Sequence, residues 1–133
     1  MNAKPNILLI LTDQHTPRVA GFAGDSVVRT PHLDDLASRS VQFETASCTS
    51  PACTPSRMSL LTGMEPHRCA AWANHWIIFP EQITWPEHFA AHGYATCLVG
   101  KMHFGGKDQL HGFRYRPYGD FHHGLSHQPE PLN

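Results

Sequence analysis

An α/β fold, a mainly parallel sheet flanked by helices, is what this 133-residue sequence predicts. Three observations predict it: an unbroken apolar run near the start, capped helical segments after it, and a second apolar run directly behind the last helix. Strands that read as continuous apolar runs are those buried on both faces, which is the situation of parallel strands. Strands and helices taken in turn build layered α/β architecture. A chain of this length suits one domain, burying roughly two-thirds of its unfolded surface.

The elements follow in order. "NILLILTD", residues 6–13, predicts a buried strand that ends in the polar Asp13. "TPHLDDLASRSV", 30–41, predicts a helix: Thr30 can cap it, Pro31 suits the first turn, and Leu33, Leu36, Ala37 and Val41 share one face. "VQFETA", 41–46, alternates weakly and reads as a short strand or an extended segment. "PSRMSLLTG", 55–63, fits a short helix with Pro55 near its start and Gly63 as its stop. "TWPEHFAAHG", 84–93, has capping-box spacing between Thr84 and Glu87, Pro86 in the first turn and Gly93 at the end. "YATCLVG", 94–100, predicts a second buried strand. From Arg114 onward the chain has no period, is rich in Pro, Gly and His, and reads as irregular. No internal repeat is present.

Ten Lys+Arg against eleven Asp+Glu leave the chain near neutral, with no electrostatic footprint for nucleic acid and no polybasic membrane patch. The longest early apolar run, "ILLIL", is five residues, too short for a signal-peptide core or a membrane span. With residue 1 as the start, the expected location is cytoplasmic. Cys48, Cys53, Cys69 and Cys97 form no C-x-x-C pair and are expected as reduced thiols. Histidine, at eleven, is the outlier and invites a metal or pH-switch reading. His88 and His92 sit four apart on one helix, but Phe89 follows His88, so no H-E-x-x-H motif exists and packing or surface roles are expected.

Ligands of open α/β sheets bind beyond the carboxyl ends of the strands. There the first strand delivers "TDQH" and the second "GKMHFGG". With parallel strands, Asp13, Lys101 and His103 emerge at one edge, and a helix starting near Cys53 could point its amino end there with Arg57. Such a pocket suits a metal ion together with a tetrahedral oxyanion. Each residue also has a plainer reading. Asp13 could be a turn residue, Arg57 part of a solvated helix face, Lys101 a loop lysine, and Cys53 a small core residue. A thiolate nucleophile of the cysteine-phosphatase kind is a poor match, since that loop spaces its residues C-x-x-x-x-x-R and here three residues separate Cys53 from Arg57.

Four motifs resemble the sulfatase family. "CTPSRMSLLTG" resembles its signature, C-x-P-S-R followed by L-T-G; "GYATCLVGKMHF" resembles the second signature around a G-K-x-H core. "PNILLILTDQH" is similar to the family's opening strand and metal-binding turn, and "TPHLDDLA" to its T-P-N-L-D-x-L-A. They fall in family order across about residues 4–113. The resemblance implies an alkaline-phosphatase-like fold and hydrolysis of a small-molecule sulfate ester. It implies that a maturation enzyme oxidises Cys53 to formylglycine, whose hydrated aldehyde attacks sulfur with one hydroxyl and ejects sulfate by collapse of the other. Asp13 is then a ligand of a divalent cation, calcium foremost, with magnesium or manganese as alternatives; Gln14 and residue 53 complete the metal assignments. Arg57 holds the hydrated aldehyde, Lys101 contacts a sulfate oxygen, and His103 assists deprotonation of the second hydroxyl. Each well-placed donor of this kind is worth about 3 kcal/mol in the transition state. Asn74, in "AWANHW", is expected to face the substrate.

Two departures matter. Many sulfatases place two aspartates after the first strand, whereas Gln14 follows Asp13 here, as in the branch of choline-sulfatase-like enzymes and phosphonate monoester hydrolases. Family catalytic domains are also several times longer than this chain. Residues 1–113 are therefore expected to be the amino-terminal part of such a domain and 114–133 an irregular segment of it, inactive in isolation. Two rival readings stand beside this one: a phosphonate monoester or phosphodiester hydrolase of the same superfamily, and a catalytically silent, histidine-rich module binding metal or a partner. The sequence leaves the oligomeric state open.

Overall fold

The computed structural model describes residues 4–16 and 18–120. The chain divides into two compact units, residues 1–46 and 47–133. In the first, a 3-10 turn at Gly21–Ala23 packs with helix α1, Pro31–Ser38. Thr30 occupies the N-cap position of α1, yet its hydroxyl makes no cap bond. It accepts from the Gly21 N–H and donates to Asp34 Oδ1, both at 2.8 Å, and Asp34 Oδ1 accepts from Phe22 N–H as well. One carboxylate thus ties the turn to the helix. The apolar face read from α1 is only partly covered: Ala37 is buried, but Leu33, Leu36 and Val41 are exposed.

The strand expected over residues 6–13 is not formed. Those residues have no ladder partner among the described residues, and Ile7, Leu8, Leu9, Ile10 and Leu11 all lie exposed. A strand exists only as one side of a hydrogen-bonded pair, so an apolar run supplies the wish to be buried but not the neighbour. Residues 41–46 are likewise without a strand, the extended alternative of the two readings.

The second unit holds helix α2, Cys53–Thr62, helix α3, Trp85–Ala91, and strands β1, Cys97–Val99, and β2, Tyr115–Tyr118. Helix α2 ends as its sequence demands, with Gly63 at φ 68° in the left-handed region and its N–H on the Ser59 carbonyl. Thr54, Arg57, Met58 and Leu61 share its buried face, at the three- and four-residue steps of one helical stripe. Met58 and Leu61 join Cys69, Ala71, Ile78, Met102, Phe104 and Phe113 in the core. A fully buried Met or Leu of this kind stabilises by about 1.5–3 kcal/mol. Helix α3 shows the complete capping box: Thr84 Oγ1 accepts from Glu87 N–H, and the Glu87 carboxylate accepts from Thr84 N–H at 2.8 Å.

β1 and β2 pair in parallel, Cys97 opposite Tyr115 and Val99 opposite Tyr118, with an irregularity between the two pairs. Two corrections follow. β1 is not buried on both faces, since Cys97 and Val99 are exposed. Residues 115–118, read as irregular, form its partner. Pro117 offers no N–H to a ladder. An edge strand with a register shift tolerates it. The expectation for residues 121–133, including the histidine-rich tail, lies outside the described residues.

Candidate functional site

Because β1 and β2 run in parallel, their carboxyl ends share one edge, and the segments leaving them meet there. Gly100, at φ 94°, turns the chain out of β1, and its N–H still bonds the Tyr118 carbonyl. Beyond it Met102 and Phe104 anchor in the core, 5% and 2% exposed, while Lys101 and His103 between them remain half-buried. Alternation of this kind sends the two polar side chains away from the core that holds their neighbours.

Helix α2 brings its amino end to the same residues. Lys101 Nζ lies 3.5 Å from Cys53 Sγ. Arg57, one turn into the helix and 6% exposed, donates from Nη1 to the Lys101 carbonyl at 2.8 Å. Thr54, fully buried, donates its hydroxyl to the carbonyls of Asn74 and His103, at 3.2 and 3.4 Å. Ala52 at the N-cap has no side chain able to cap α2. The Asn74 amide oxygen takes that part from twenty residues away in sequence, accepting the Thr54 N–H at 3.0 Å. The second unit thus assembles Cys53, Arg57, Asn74, Lys101 and His103. Asp13 and Gln14 belong to the first unit, at an exposed bend.

Backbone strain marks two of these positions. Four described non-glycine residues have positive φ: Gln14 at 55°, Ala70 at 54°, His103 at 58° and His111 at 40°. Such a conformation costs about 1–3 kcal/mol and persists where the surroundings over-determine it. For His103 the determinant is a residue the sequence did not single out. Asp120, just past β2, accepts Met102 N–H at Oδ1 (2.7 Å) and His103 N–H at Oδ2 (2.8 Å). Its partner is Arg116, whose Nη2 lies 3.2 Å from Asp120 Oδ2, both side chains 2% exposed. That contact is one of charge rather than alignment, since Arg116 Nε and Nη2 make no hydrogen bond among the described residues. Nη1 instead grips Gln109 at its carbonyl and its side-chain oxygen, at 3.0 and 2.8 Å. The signal for Asp120 was present, a carboxylate two residues past a strand, but became visible only once residues 115–118 were known to be that strand.

His111 is a second residue the sequence passed over. Its ring lies 4.5 Å from that of Phe104, its Nδ1 3.4 Å from Asp108 Oδ2, and its Nε2 is buried without a hydrogen-bond partner among the described residues. Burial pushes its pKa below the usual histidine value; Asp108 and Glu87 oppose this and Arg116 adds to it. Asp108 titrates below the ordinary carboxylate value: burial raises it, but the N–H groups of Leu110 and His111 and the nearby imidazole outweigh that. His88 and His92 pack on one another at 4.3 Å between ring centres, with His92 Nδ1 on the His88 carbonyl.

Among the described residues a divalent cation finds donors of the right kind but too few. Asp13 and Gln14 offer side-chain oxygens, whereas a hard cation such as calcium takes about six to eight. Among the described residues no three of His, Cys, Asp and Glu gather to hold a metal ion. The described residues do not by themselves amount to a complete cation site.

The sulfatase family profile matches residues 5–131. The chain belongs to the sulfatase family. It is 42% identical over 120 residues to an ulvan-active sulfatase of Formosa agariphila, covering 84% of this chain and 24% of that protein. It is 39% identical over 113 residues to a choline-sulfatase of Rhizobium meliloti, covering 85% and 22%. The crystal structure of Ps i-CgsB superposes with a TM-score of 0.80 at 33% identity, covering 88% of this chain and 28% of that one. The fold is therefore the alkaline-phosphatase-like α/β fold expected from the motifs, and the sulfatase chain spans about a quarter of the length of the curated relatives it matches.

Proposed function

We propose that this chain is the part of a sulfatase that carries the nucleophile and the first half of its sulfate-binding groups. The observation that supports this best is the pairing of Cys53 with Lys101 at the amino end of α2, with Arg57 buried behind them. Cys53, matured to formylglycine, would supply the oxygen nucleophile for attack on a sulfate ester. The other roles fall to the chain's own groups. Lys101 would bind a sulfate oxygen and offset the charge that builds on it during transfer. Arg57 fixes the Lys101 carbonyl and sets a permanent positive charge one helical turn from residue 53. His103 would move the proton at the residue-53 oxygen, and Asn74 holds the first turn of α2 in register through Thr54. Asp13 and Gln14 would be two of the ligands of a divalent cation, calcium foremost.

The substrate class under this reading is a small-molecule sulfate ester, and the required partner is a formylglycine-generating enzyme. The test uses the complete protein that carries this chain, produced with and without that enzyme. The peptide containing Cys53 should have the aldehyde mass only in the first preparation, and only that preparation should release sulfate from an aryl sulfate. Cys53→Ala should abolish release. A thiol at position 53 in a co-produced preparation, or a large preference for a phenylphosphonate ester over the sulfate, would overturn the reading.

A further inference from the structure

Beyond the groups that would touch substrate, the geometry points to Asp120, clamped by Arg116, as the positioning residue that sets the Lys101–His103 turn. The inference rests on the sulfatase reading for its catalytic consequence, though not for its geometry. One carboxylate takes two successive backbone N–H groups, Met102 on Oδ1 and His103 on Oδ2. Successive N–H groups converge on a single anion where the backbone forms a concavity of alternating hand. His103, at φ 58°, supplies the left-handed half of it. The carboxylate therefore holds a histidine in a conformation that a side chain with a Cβ disfavours, and so fixes the direction in which that side chain leaves the backbone.

Arg116 makes the clamp rigid. Its guanidinium lies 5.2 Å from the centre of the Phe104 ring, donates twice to Gln109, and sits against Asp120. Gln109 in turn donates to the carbonyls of Phe104 and Gly106. The turn at 101–103 and the glycine loop after it are thus held by one buried pair that leaves from β2. A buried ion pair is a poor device for stability, because desolvation offsets most of its attraction; fixing one conformation is the better-attested use.

Asp120→Asn keeps the size and one acceptor but turns an NH2 toward the other amide, so it loosens the turn without removing a core group. In the complete, matured protein, with position 53 converted to the same extent as in wild type, kcat should fall on the order of 10- to 100-fold, the cost of displacing a catalytic group by about 1 Å. KM should change by less than about threefold, so that the loss falls on kcat alone. The amide proton signals of Met102 and His103, shifted downfield by the charge-assisted bonds in wild type, should return toward ordinary positions. An unchanged kcat with unchanged amide signals would overturn the inference, as would a loss of activity that only tracks the folded fraction. Should wild type turn over no sulfate ester, the sulfatase reading fails by itself and the amide signals still decide the positioning. Should Asp120→Asn not fold, Arg116→Lys replaces it: the charge stays, the double grip on Gln109 goes, and the same signals must move in the same direction or the inference is wrong.

Discussion

An alanine at position 112 would press its Cβ into Glu87, meeting the side-chain Cγ and the backbone nitrogen and coming within 2.8 Å of the Cα, at a φ of +88°. Gly63 has a similar φ, +68°, but open space where a Cβ would lie. Comparing the two alanine variants separates strain from collision. Gly63→Ala should cost about 1–2 kcal/mol in urea denaturation, the penalty of the left-handed region alone. Gly112→Ala should add about 1–3 kcal/mol for overpacking. Equal midpoints for the two would contradict the close approach of α3 to residue 112. The neighbouring His111 gives a prediction in pH. Burial lowers its pKa in the folded chain, so the unfolded chain binds the proton more readily, and stability falls as pH drops through the ordinary histidine value, about 6.5, toward the depressed one. His111→Asn, which tolerates the positive φ, should lose less stability than wild type between pH 7.5 and pH 5.5. Parallel losses in the two proteins would mean that His111 does not titrate against burial.

At the scale of elements, the two helices of the second unit are capped in opposite ways. α3 carries its own capping box, and Thr84 adds a bond from its hydroxyl to the His111 carbonyl at 2.7 Å. Thr84→Ala removes both and leaves a buried carbonyl without its donor, so a loss of about 1–3 kcal/mol is expected by thermal or urea denaturation. Serine at the same place should recover most of it. α2 borrows its cap from Asn74, and Asn74→Ala should cost about 1 kcal/mol, the usual value of an N-cap. The first cap was legible because both partners lie within one turn of the chain. The second was not, since no local pattern connects residues 54 and 74. β2 escaped for a related reason: its residues show no period of their own, and only pairing with the neighbouring β1 makes them a strand.

Over the whole molecule, the described residues expose much apolar surface, including Ile7–Leu11, Phe43, Trp72, Ile83 and Val99. Contiguous exposed apolar patches mark surfaces that associate. A polypeptide of these 133 residues is expected to bind a hydrophobic dye and to self-associate in sedimentation, and Leu8→Lys should reduce both. A monodisperse monomer that ignores the dye would contradict the exposure of the 7–11 run. The same run explains the largest miss in the sequence reading. Its composition described a buried strand faithfully, but burial needs a covering partner, and none is present among the described residues.

The sequence by itself determined the family, the two capped or glycine-stopped helices α2 and α3, and the strand β1. Each of those rests on information carried within a few consecutive positions: turn chemistry, helical period or a short motif. Only the tertiary structure decided that Arg57 grips the Lys101 carbonyl, that Asn74 caps a helix twenty residues away, and that Asp120 and Arg116 hold the turn bearing His103. Those contacts join distant positions, and a hydrogen bond leaves no trace in the local pattern of either partner until the chain between them has been folded.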